Sequence, residues 1–133
     1  MAEKSIKFEV VTPERRVFSA DIESLVVPAV TGYLGIWPNH APLVTALDIG
    51  VIQYKQAGKF KKMAVSGGFM EVIDNKVSVL ADTAEPGELI DLARAEAAKE
   101  RAMRRLSERK ADLDVKRAEL ALKRALSRIK AAR

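Results

Sequence analysis

The chain changes character at residues 85–106, which read EPGELIDLARAEAAKERAMRRL. Pro86 and Gly87 are turn-forming residues, and the remainder of the chain to residue 133 contains no glycine, proline or aromatic residue. It consists largely of alanine, leucine, glutamate, lysine and arginine, which have high helix propensities. The sequence therefore predicts two segments, a first domain of residues 1–87 and a helical second domain of residues 88–133.

Apolar residues recur at steps of three and four on each half of the second segment, as they do on one face of an α-helix. The two apolar stripes consist of Leu92, Ala95, Ala98, Ala102 and Leu106, and of Val115, Ala118, Leu122, Ala125, Ile129 and Ala132. Polar residues cluster between them at residues 107–114, where Ser or Asp can cap a helix. Two helices with a short connection favour an antiparallel hairpin. Because the stripes are rich in alanine, we expect the hairpin to be weakly packed.

The first segment shows the period-two alternation of half-buried β-strands. The strands that we predict are Ile6–Val10, Ile22–Val27, Ile49–Tyr54, Phe60–Val65, Phe69–Ile73 and Val77–Leu80. Turn-forming pairs separate them, and many short strands at spacings of roughly eight to twelve residues indicate a small antiparallel sandwich or barrel. The predicted fold class is therefore α+β, a β domain followed by a helical hairpin.

The composition excludes several kinds of function. A chain of 133 residues, 48% apolar and 31% charged, can form one small domain with an appendage. With no cysteine and a single histidine, we expect neither a disulfide nor a metal site. No nucleophile–base pair is apparent, so we do not expect an enzyme. The N-terminus lacks the apolar stretch of a signal peptide, and no apolar run is long enough to span a bilayer. Any membrane association is therefore expected to be indirect, through partners.

The net charge of +5 is unevenly distributed. Residues 1–87 contain 9 basic and 10 acidic side chains, whereas residues 88–133 contain 14 basic and 8 acidic ones. Arginines share a narrow sector of each predicted helix: Arg94, Arg101 and Arg105 on the first, and Arg117, Arg124 and Arg128 on the second. Like charges at these spacings repel, and guanidinium groups match phosphate oxygens geometrically. The spacing alone fits either a solvated, salt-bridged helix face or an anion site.

Other patterns that bind phosphate or nucleic acid are missing from the sequence. Neither a Walker A motif nor a G-x-G-x-x-G motif occurs, so we interpret Ser66-Gly67-Gly68 as a tight turn before the strand that begins at Phe69. The basic segment has no aromatic residue on which bases could stack. We therefore do not expect nucleic acid as a partner.

Five strings spread along the whole chain resemble the epsilon subunit of bacterial rotary (F-type) ATP synthases. They are VVTP at residues 10–13, GIWPNHAPL at 35–43, VSGGFMEV at 65–72, ADTAE at 81–85 and RAELAL at 117–122. The resemblance implies a ten-stranded antiparallel β-sandwich followed by the two helices. It also implies a non-catalytic central-stalk subunit of a proton-translocating ATP synthase, peripheral at the cytoplasmic face of the cell membrane, that couples rotation to ATP synthesis.

The same resemblance implies partners for both segments. The β domain is expected to bind the gamma subunit and the c-ring of the membrane sector. The hairpin is expected to move between a folded-down state and an extended state that reaches the alpha/beta catalytic head and inhibits ATP hydrolysis. The alternatives are a free-standing ATP-sensing module and a nucleic-acid-binding module, neither of which requires an obligate protein partner.

Some members of this family bind ATP through the motif I-D-x-x-R-A, which occurs here as IDLARA at residues 90–95. By resemblance, the ATP-binding residues are Glu85, Ile90, Asp91, Arg94, Arg101, Arg124 and Arg128. The isoleucine and the aspartate are expected to contact the adenine, and the arginines are expected to hold the phosphates. ATP, with or without Mg²⁺, is then a regulatory ligand, and no cofactor is required.

Overall fold

The computed structural model describes residues 4–133, which form eight β-strands, one turn of 3₁₀-helix and two α-helices. The elements are β1 (Ile6–Val11), β2 (Arg16–Ile22), β3 (Ser24–Ala29), β4 (Gly32–Ile36), β5 (Leu43–Gln56), β6 (Lys59–Ile73), β7 (Lys76–Ala81), β8 (Ala84–Pro86), the 3₁₀-helix (Gly87–Leu89), α1 (Leu92–Glu108) and α2 (Val115–Ala132). The predicted α+β class, a β-sandwich followed by a two-helix hairpin, is confirmed.

The strands follow the order β2-β1-β7-β6-β5-β3-β4, and β8 pairs with β6 beyond the end of the β6–β7 ladder. Neighbouring strands are antiparallel except β1 and β7, which are parallel. The expectation of a wholly antiparallel sandwich is therefore wrong for one pair. Parallel neighbours require a long crossover connection, and β2 to β6 supply it here. The alternation of apolar and polar residues shows which side chains point to the core. It does not show which strand lies beside which, so it could not predict this pairing.

Eight strands form instead of the ten expected, and two of them, β5 and β6, are much longer than the rest. Their ladder is interrupted at one point, between the pairs Leu47–Gly68 and Ile49–Ser66. The strands predicted separately at Phe60–Val65 and Phe69–Ile73 are one continuous strand. Ser66-Gly67-Gly68 is therefore not the tight turn that we expected. Both glycines have positive φ angles, 99° and 135°, which glycine adopts without steric strain, and the strand continues through them.

The sheet encloses a single apolar core between its inner faces. Phe8 and Val10 of β1 face this core together with Ile52 of β5, Met63 of β6 and Val79 of β7, each at most 1% exposed. The ring of Phe8 packs against those of Phe18 and Tyr54, with ring centroids 5.6 and 5.7 Å away. Burial of this aromatic and branched apolar surface is the main stabilising term for the β domain.

Both α-helices begin at a capping aspartate. The carboxylate of Asp91 accepts a hydrogen bond from the backbone N–H of Arg94 (3.1 Å), and that of Asp114 accepts one from the N–H of Arg117 (3.0 Å). Each bond satisfies a donor that the first helical turn leaves without an intrahelical partner. The connection between the helices, residues 109–114, lies within the break predicted at 107–114. It begins with Arg109 in the left-handed conformation.

We predict that Gly68→Ala destabilises the β domain by about 2 kcal/mol more than Gly32→Ala does. The two glycines have similar φ angles, 135° and 126°, so both substitutions introduce comparable backbone strain. A Cβ atom at Gly68 would overlap the carbonyl oxygen of Leu80 in the neighbouring strand, whereas one at Gly32 would meet nothing within 4 Å. Urea unfolding followed by circular dichroism measures the difference. Equal losses of unfolding free energy would contradict the close approach of β6 and β7.

Candidate functional site

The hairpin lies on the outer surface of the sandwich, with α2 against β5 and β6. A second apolar cluster, separate from the sandwich core, forms at this junction. It consists of Val51 and Ala64 from the strands, and of Ile90, Ala95, Ile129 and Ala131 from the helical segment. Its members are small or medium-sized, so the apolar surface buried here is limited. We call this junction the docking interface.

Polar contacts supplement the docking interface along α2. The buried hydroxyl of Ser127 donates a hydrogen bond to the carbonyl oxygen of Gly50 in β5 (2.6 Å). One turn earlier, the Lys123 ammonium lies 2.8 Å from the Asp48 carboxylate. The helix also approaches Gly87 so closely that a Cβ atom there would overlap the carbonyl oxygen of Ala131. The helical segment is therefore held by the β domain through specific contacts as well as apolar burial.

Arg128 of α2 and Glu85 of β8 form the central ion pair of the site. The Nη2 of Arg128 donates to Glu85 Oε2 at 3.1 Å. Arg128 Nε is 2.8 Å from Oε1, but its N–H bond is not directed at that oxygen. Within residues 4–133, this Nε is the buried side-chain nitrogen or oxygen that lacks a hydrogen-bond acceptor. The two contacts hold the guanidinium of Arg128 against the carboxylate of Glu85, so α2 is tied to β8 by a charge-assisted interaction.

A cavity of about 530 Å³ adjoins this ion pair. Arg124 and Arg128 line it from α2, and Ala98 lines it from α1. Ser66 of β6 and the turn between β1 and β2, residues 12–15, contribute to the opposite side. Its volume lies within the usual range of small-ligand sites, roughly 300–1,000 Å³. We call this space the hairpin cavity.

Of the seven residues predicted to bind ATP, the structure brings Glu85, Arg124 and Arg128 together in the hairpin cavity. The other four do not line it. Ile90 is buried in the docking interface, and Asp91 caps α1 through the backbone of Arg94. The guanidinium groups of Arg94 and Arg101 belong to exposed residues of α1. The resemblance assigned all four to the site, and the helical sector also grouped the two arginines, but neither indicates how α1 is rotated relative to the sandwich.

The residues that the sequence analysis missed come from the sandwich and from the docking contacts. Arg15 lines the hairpin cavity, and Asp48 and Ser127 hold α2. No pattern in the sequence relates a turn between two strands to a helix more than a hundred residues later. These neighbours follow from tertiary packing alone.

Neither a membrane-spanning helix nor a cluster of metal-binding side chains occurs among the residues that the structure describes. No helix of residues 4–133 combines the length and the apolar character needed to cross a bilayer. The same residues contain no group of three or more His, Asp or Glu side chains that could hold a metal ion.

Family comparisons match both segments. The family model "ATP synthase, Delta/Epsilon chain, beta-sandwich domain" matches residues 5–87, and the model "ATP synthase, Delta/Epsilon chain, long alpha-helix domain" matches residues 88–133. The chain is 58% identical over 132 residues to the ATP synthase epsilon chain of Pelotomaculum thermopropionicum, with 99% of this chain and 98% of that one covered. It is 54% identical to that of Desulforamulus reducens, with 97% and 98% covered.

Two solved assemblies contain chains with a similar fold. One belongs to the OSCP/F1/c-ring structure of the Euglena gracilis mitochondrial ATP synthase, with a TM-score of 0.83 at 20% identity, covering 100% of this chain and 84% of that chain. The other belongs to the central stalk/c-ring structure of the Tetrahymena thermophila mitochondrial ATP synthase. It has a TM-score of 0.55 at 14% identity and covers 99% of this chain and 96% of that chain. At these identities the likeness concerns the fold alone.

We predict that acid weakens docking of the hairpin through Asp48. The hydrogen bond from Lys123, followed by that from the backbone N–H of Ile49, lowers the pKa of Asp48 below its ordinary value of 3.8. A lowered pKa means that this contact is fully present above pH 3.8 and is lost as the pH falls through the folded-state pKa. Both side chains are about half exposed, so its contribution is roughly 0.2–1 kcal/mol.

The measurement uses fluorophores on cysteines introduced at Lys61 and Arg133, which line one surface cleft in the docked state. The chain has no native cysteine to interfere. Asp48→Asn should match the wild type at low pH and show a smaller docked fraction at pH 7. The control, Glu119→Gln, removes an exposed carboxylate of α2 that is outside the docking interface. An Asp48→Asn protein with an unchanged pH profile would rule out the contribution of this ion pair.

Proposed function

The chain belongs to the ATP synthase delta/epsilon family as an epsilon chain, a non-catalytic subunit, and from that membership we propose that it works in the central stalk of a proton-translocating ATP synthase. There it couples rotation to ATP synthesis, peripheral to the membrane at its cytoplasmic face. Its β-sandwich binds the gamma subunit and the c-ring, and its hairpin inhibits ATP hydrolysis. The observation that carries the regulatory part is the hairpin cavity, where α2 presents two arginines to the sandwich.

An exposed apolar face of the sandwich supports binding to a protein partner. Phe69 of β6 and Leu80 of β7 are directly paired across the two strands, so they project from the same side of the sheet. Both are 60% exposed, and Val44 of β5, on the same side, is 69% exposed. Apolar side chains clustered at a surface indicate a contact with another protein. We assign this face to the gamma subunit, because the structural neighbours belong to ATP synthase assemblies.

We predict that Phe69→Glu abolishes co-purification with the gamma subunit. The substitution places a charge at the centre of the apolar face, where burial against a partner would leave it unpaired. Phe60→Glu is the matched control, since Phe60 lies on the same strand, is 66% exposed and is at the other end of β6. Pull-down with tagged gamma subunit measures retention. Equal retention of both variants would place the gamma contact elsewhere on the chain.

The chemistry of the hairpin cavity supports ATP as a regulatory ligand. Arg124 and Arg128 both line it, and Arg124 has no ion-pair partner among residues 4–133. Guanidinium groups bind phosphate oxygens through charge-assisted hydrogen bonds, so a triphosphate supplies acceptors and the opposing charge. Glu85 orients Arg128 through its carboxylate. Ile90, Asp91, Arg94 and Arg101 join the site, as the resemblance implies, if α1 adjusts around the ligand.

ATP then acts as a switch because it binds the docked hairpin. The docking interface buries only small and medium-sized apolar side chains, so little apolar area opposes undocking. ATP stabilises the docked state by about 2.7 kcal/mol at a hundredfold excess over Kd. A complete shift between two states takes about 5.5 kcal/mol. ATP therefore biases the equilibrium strongly without locking it, and ATP depletion favours the extended state.

The charge of the helical segment suits the extended, inhibitory state. Residues 88–133 contain 14 basic and 8 acidic side chains, and most of the arginines are exposed. When the hairpin is extended, these side chains can pair with acidic regions of the alpha/beta catalytic head. Electrostatic attraction of this kind steers association and stabilises the complex at moderate ionic strength.

We predict that ATP slows hydrogen exchange of the backbone amides of α2 in the isolated protein. If exchange occurs through an undocked state that does not bind ATP, the rate falls by about 100-fold at a hundredfold excess over Kd. Arg128→Ala should lose most of this protection, and Arg117→Ala, on the same helix but outside the hairpin cavity, should retain it. Mass spectrometry measures the exchange, and the same samples should show no ADP. Wild-type exchange that is unaffected by millimolar ATP would refute the switch.

A further inference from the structure

The turn between β1 and β2 contributes Thr12, Glu14 and Arg15 to the sandwich side of the hairpin cavity. The carbonyl oxygen of Arg15 accepts two hydrogen bonds from Thr12, one from its backbone N–H (2.9 Å) and one from its Oγ1 (3.3 Å). These bonds close the turn and hold the backbone of Arg15 in place. Arg15 lines the cavity, although it is far from the helical segment in sequence.

The two adjacent arginines of this turn have different environments. Arg16 lies 3.7 Å from the carboxylate of Glu9 in β1, and it does not line the hairpin cavity. For Arg15, the part of the chain that the structure describes offers no carboxylate oxygen within 4 Å, and the same is true of Arg124. The hairpin cavity is therefore lined, on the sandwich and on α2, by arginine residues that have no ion-pair partner among residues 4–133.

We propose that Arg15 binds the phosphate groups of the nucleotide, so that the ligand bridges the sandwich and α2. This inference rests on the proposed binding of ATP to the hairpin cavity. Guanidinium groups on opposite sides of one cavity repel each other until an anion lies between them. A polyphosphate is long enough and has enough oxygens to contact Arg15, Arg124 and Arg128 at once. An isolated phosphate cannot bridge both sides in the same way.

The carboxylates around the hairpin cavity are consistent with this assignment. Glu85 is already paired with Arg128. Glu14 and Asp82 also line the cavity, and both are exposed to water. Water screens their repulsion of a phosphate, since charges at an exposed surface interact weakly. They lower the affinity below the value that three arginines alone would give, which suits a ligand that must dissociate when its concentration falls.

A bridging ligand has a direct consequence for the switch. If the nucleotide contacted the hairpin alone, an undocked but closed hairpin could retain it, and ATP would not oppose undocking. With Arg15 as a contact, undocking separates the phosphates from one of their partners. The contact with the sandwich is therefore what couples ATP binding to docking, because a ligand shifts an equilibrium only by its difference in affinity for the two states.

The test is calorimetric titration of the full chain with ATP, with Arg15→Gln compared with Arg16→Gln. Arg15→Gln should weaken ATP binding about tenfold, the loss expected for one charge-assisted contact. Arg16→Gln should leave the affinity for ATP unchanged. The affinity of Arg15→Lys should lie between those of wild type and Arg15→Gln, because lysine keeps the positive charge but lacks the paired N–H groups of a guanidinium. Titration with adenosine should not distinguish Arg15→Gln from wild type. Melting curves by circular dichroism establish that each variant is folded.

The outcomes separate this inference from the proposal on which it rests. If the wild type itself does not bind ATP, the proposed site is wrong, and the role of Arg15 falls with it. If the wild type binds and both glutamine variants bind equally well, the inference about Arg15 alone is overturned. An equal loss of affinity for ATP and adenosine in Arg15→Gln would overturn the assignment to the phosphates. Hydrogen exchange of α2 then provides a second readout, in which Arg15→Gln should show less protection by saturating ATP.

Discussion

The ladder between β5 and β6 is the interaction on which the rest of the structure depends. It is interrupted only between Leu47–Gly68 and Ile49–Ser66, so the two strands serve both halves of the sandwich. On one side they hold β7 and β1, and on the other they hold β3 and β4. The same strands provide the surface for α2, and the interruption of the ladder is next to the docking contacts. Asp48 pairs with Lys123, and Gly50 accepts from Ser127. The segment of β5 and β6 at this interruption therefore also positions the hairpin.

The two parts of the molecule are stabilised to different degrees for a physical reason. The sandwich core buries phenylalanine, methionine and branched side chains almost completely, and each such side chain contributes about 1.5–3 kcal/mol. The docking interface buries mainly alanines and two isoleucines, with a few polar contacts. Among these, the hydroxyl of Ser127 exchanges its hydrogen bond with Gly50 for one with water on undocking, so its net contribution is about 0.5–1.5 kcal/mol. A stable platform with a weakly held hairpin is the arrangement that a conformational switch requires.

The sequence predicts features that depend on interactions within a few residues of the chain. It does not predict features that depend on contacts between distant residues. The helices and the break before Asp114 follow from propensity, periodicity and capping, which act within a few residues. The strands that were missed, β2, β4 and β8, are short or have mixed burial patterns such as that of Arg16–Ile22, so alternation does not identify them. The sequence predicts two strands where β6 is continuous, because adjacent glycines such as Gly67 and Gly68 usually indicate a turn. The parallel β1–β7 pair and the position of Arg15 beside α2 depend on contacts between distant residues, which no local pattern contains.

The motif IDLARA shows a related limit, because a sequence match does not distinguish a residue that contacts a ligand from one with a structural role. IDLARA has a structural explanation at its first two positions, because Ile90 packs in the docking interface and Asp91 caps α1. A motif residue can therefore be required for docking without touching a ligand, and its substitution would weaken ATP binding through the population of the docked state. Arg124 and Arg128 are different, since they line the hairpin cavity directly. Both line the hairpin cavity beside the sandwich, and Arg128 is also paired with Glu85 there. In the proposed switch, ATP and the head compete for the same two side chains. Because such coupling is reciprocal, an enzyme that holds the hairpin in the extended state must also lower the apparent affinity of this subunit for ATP.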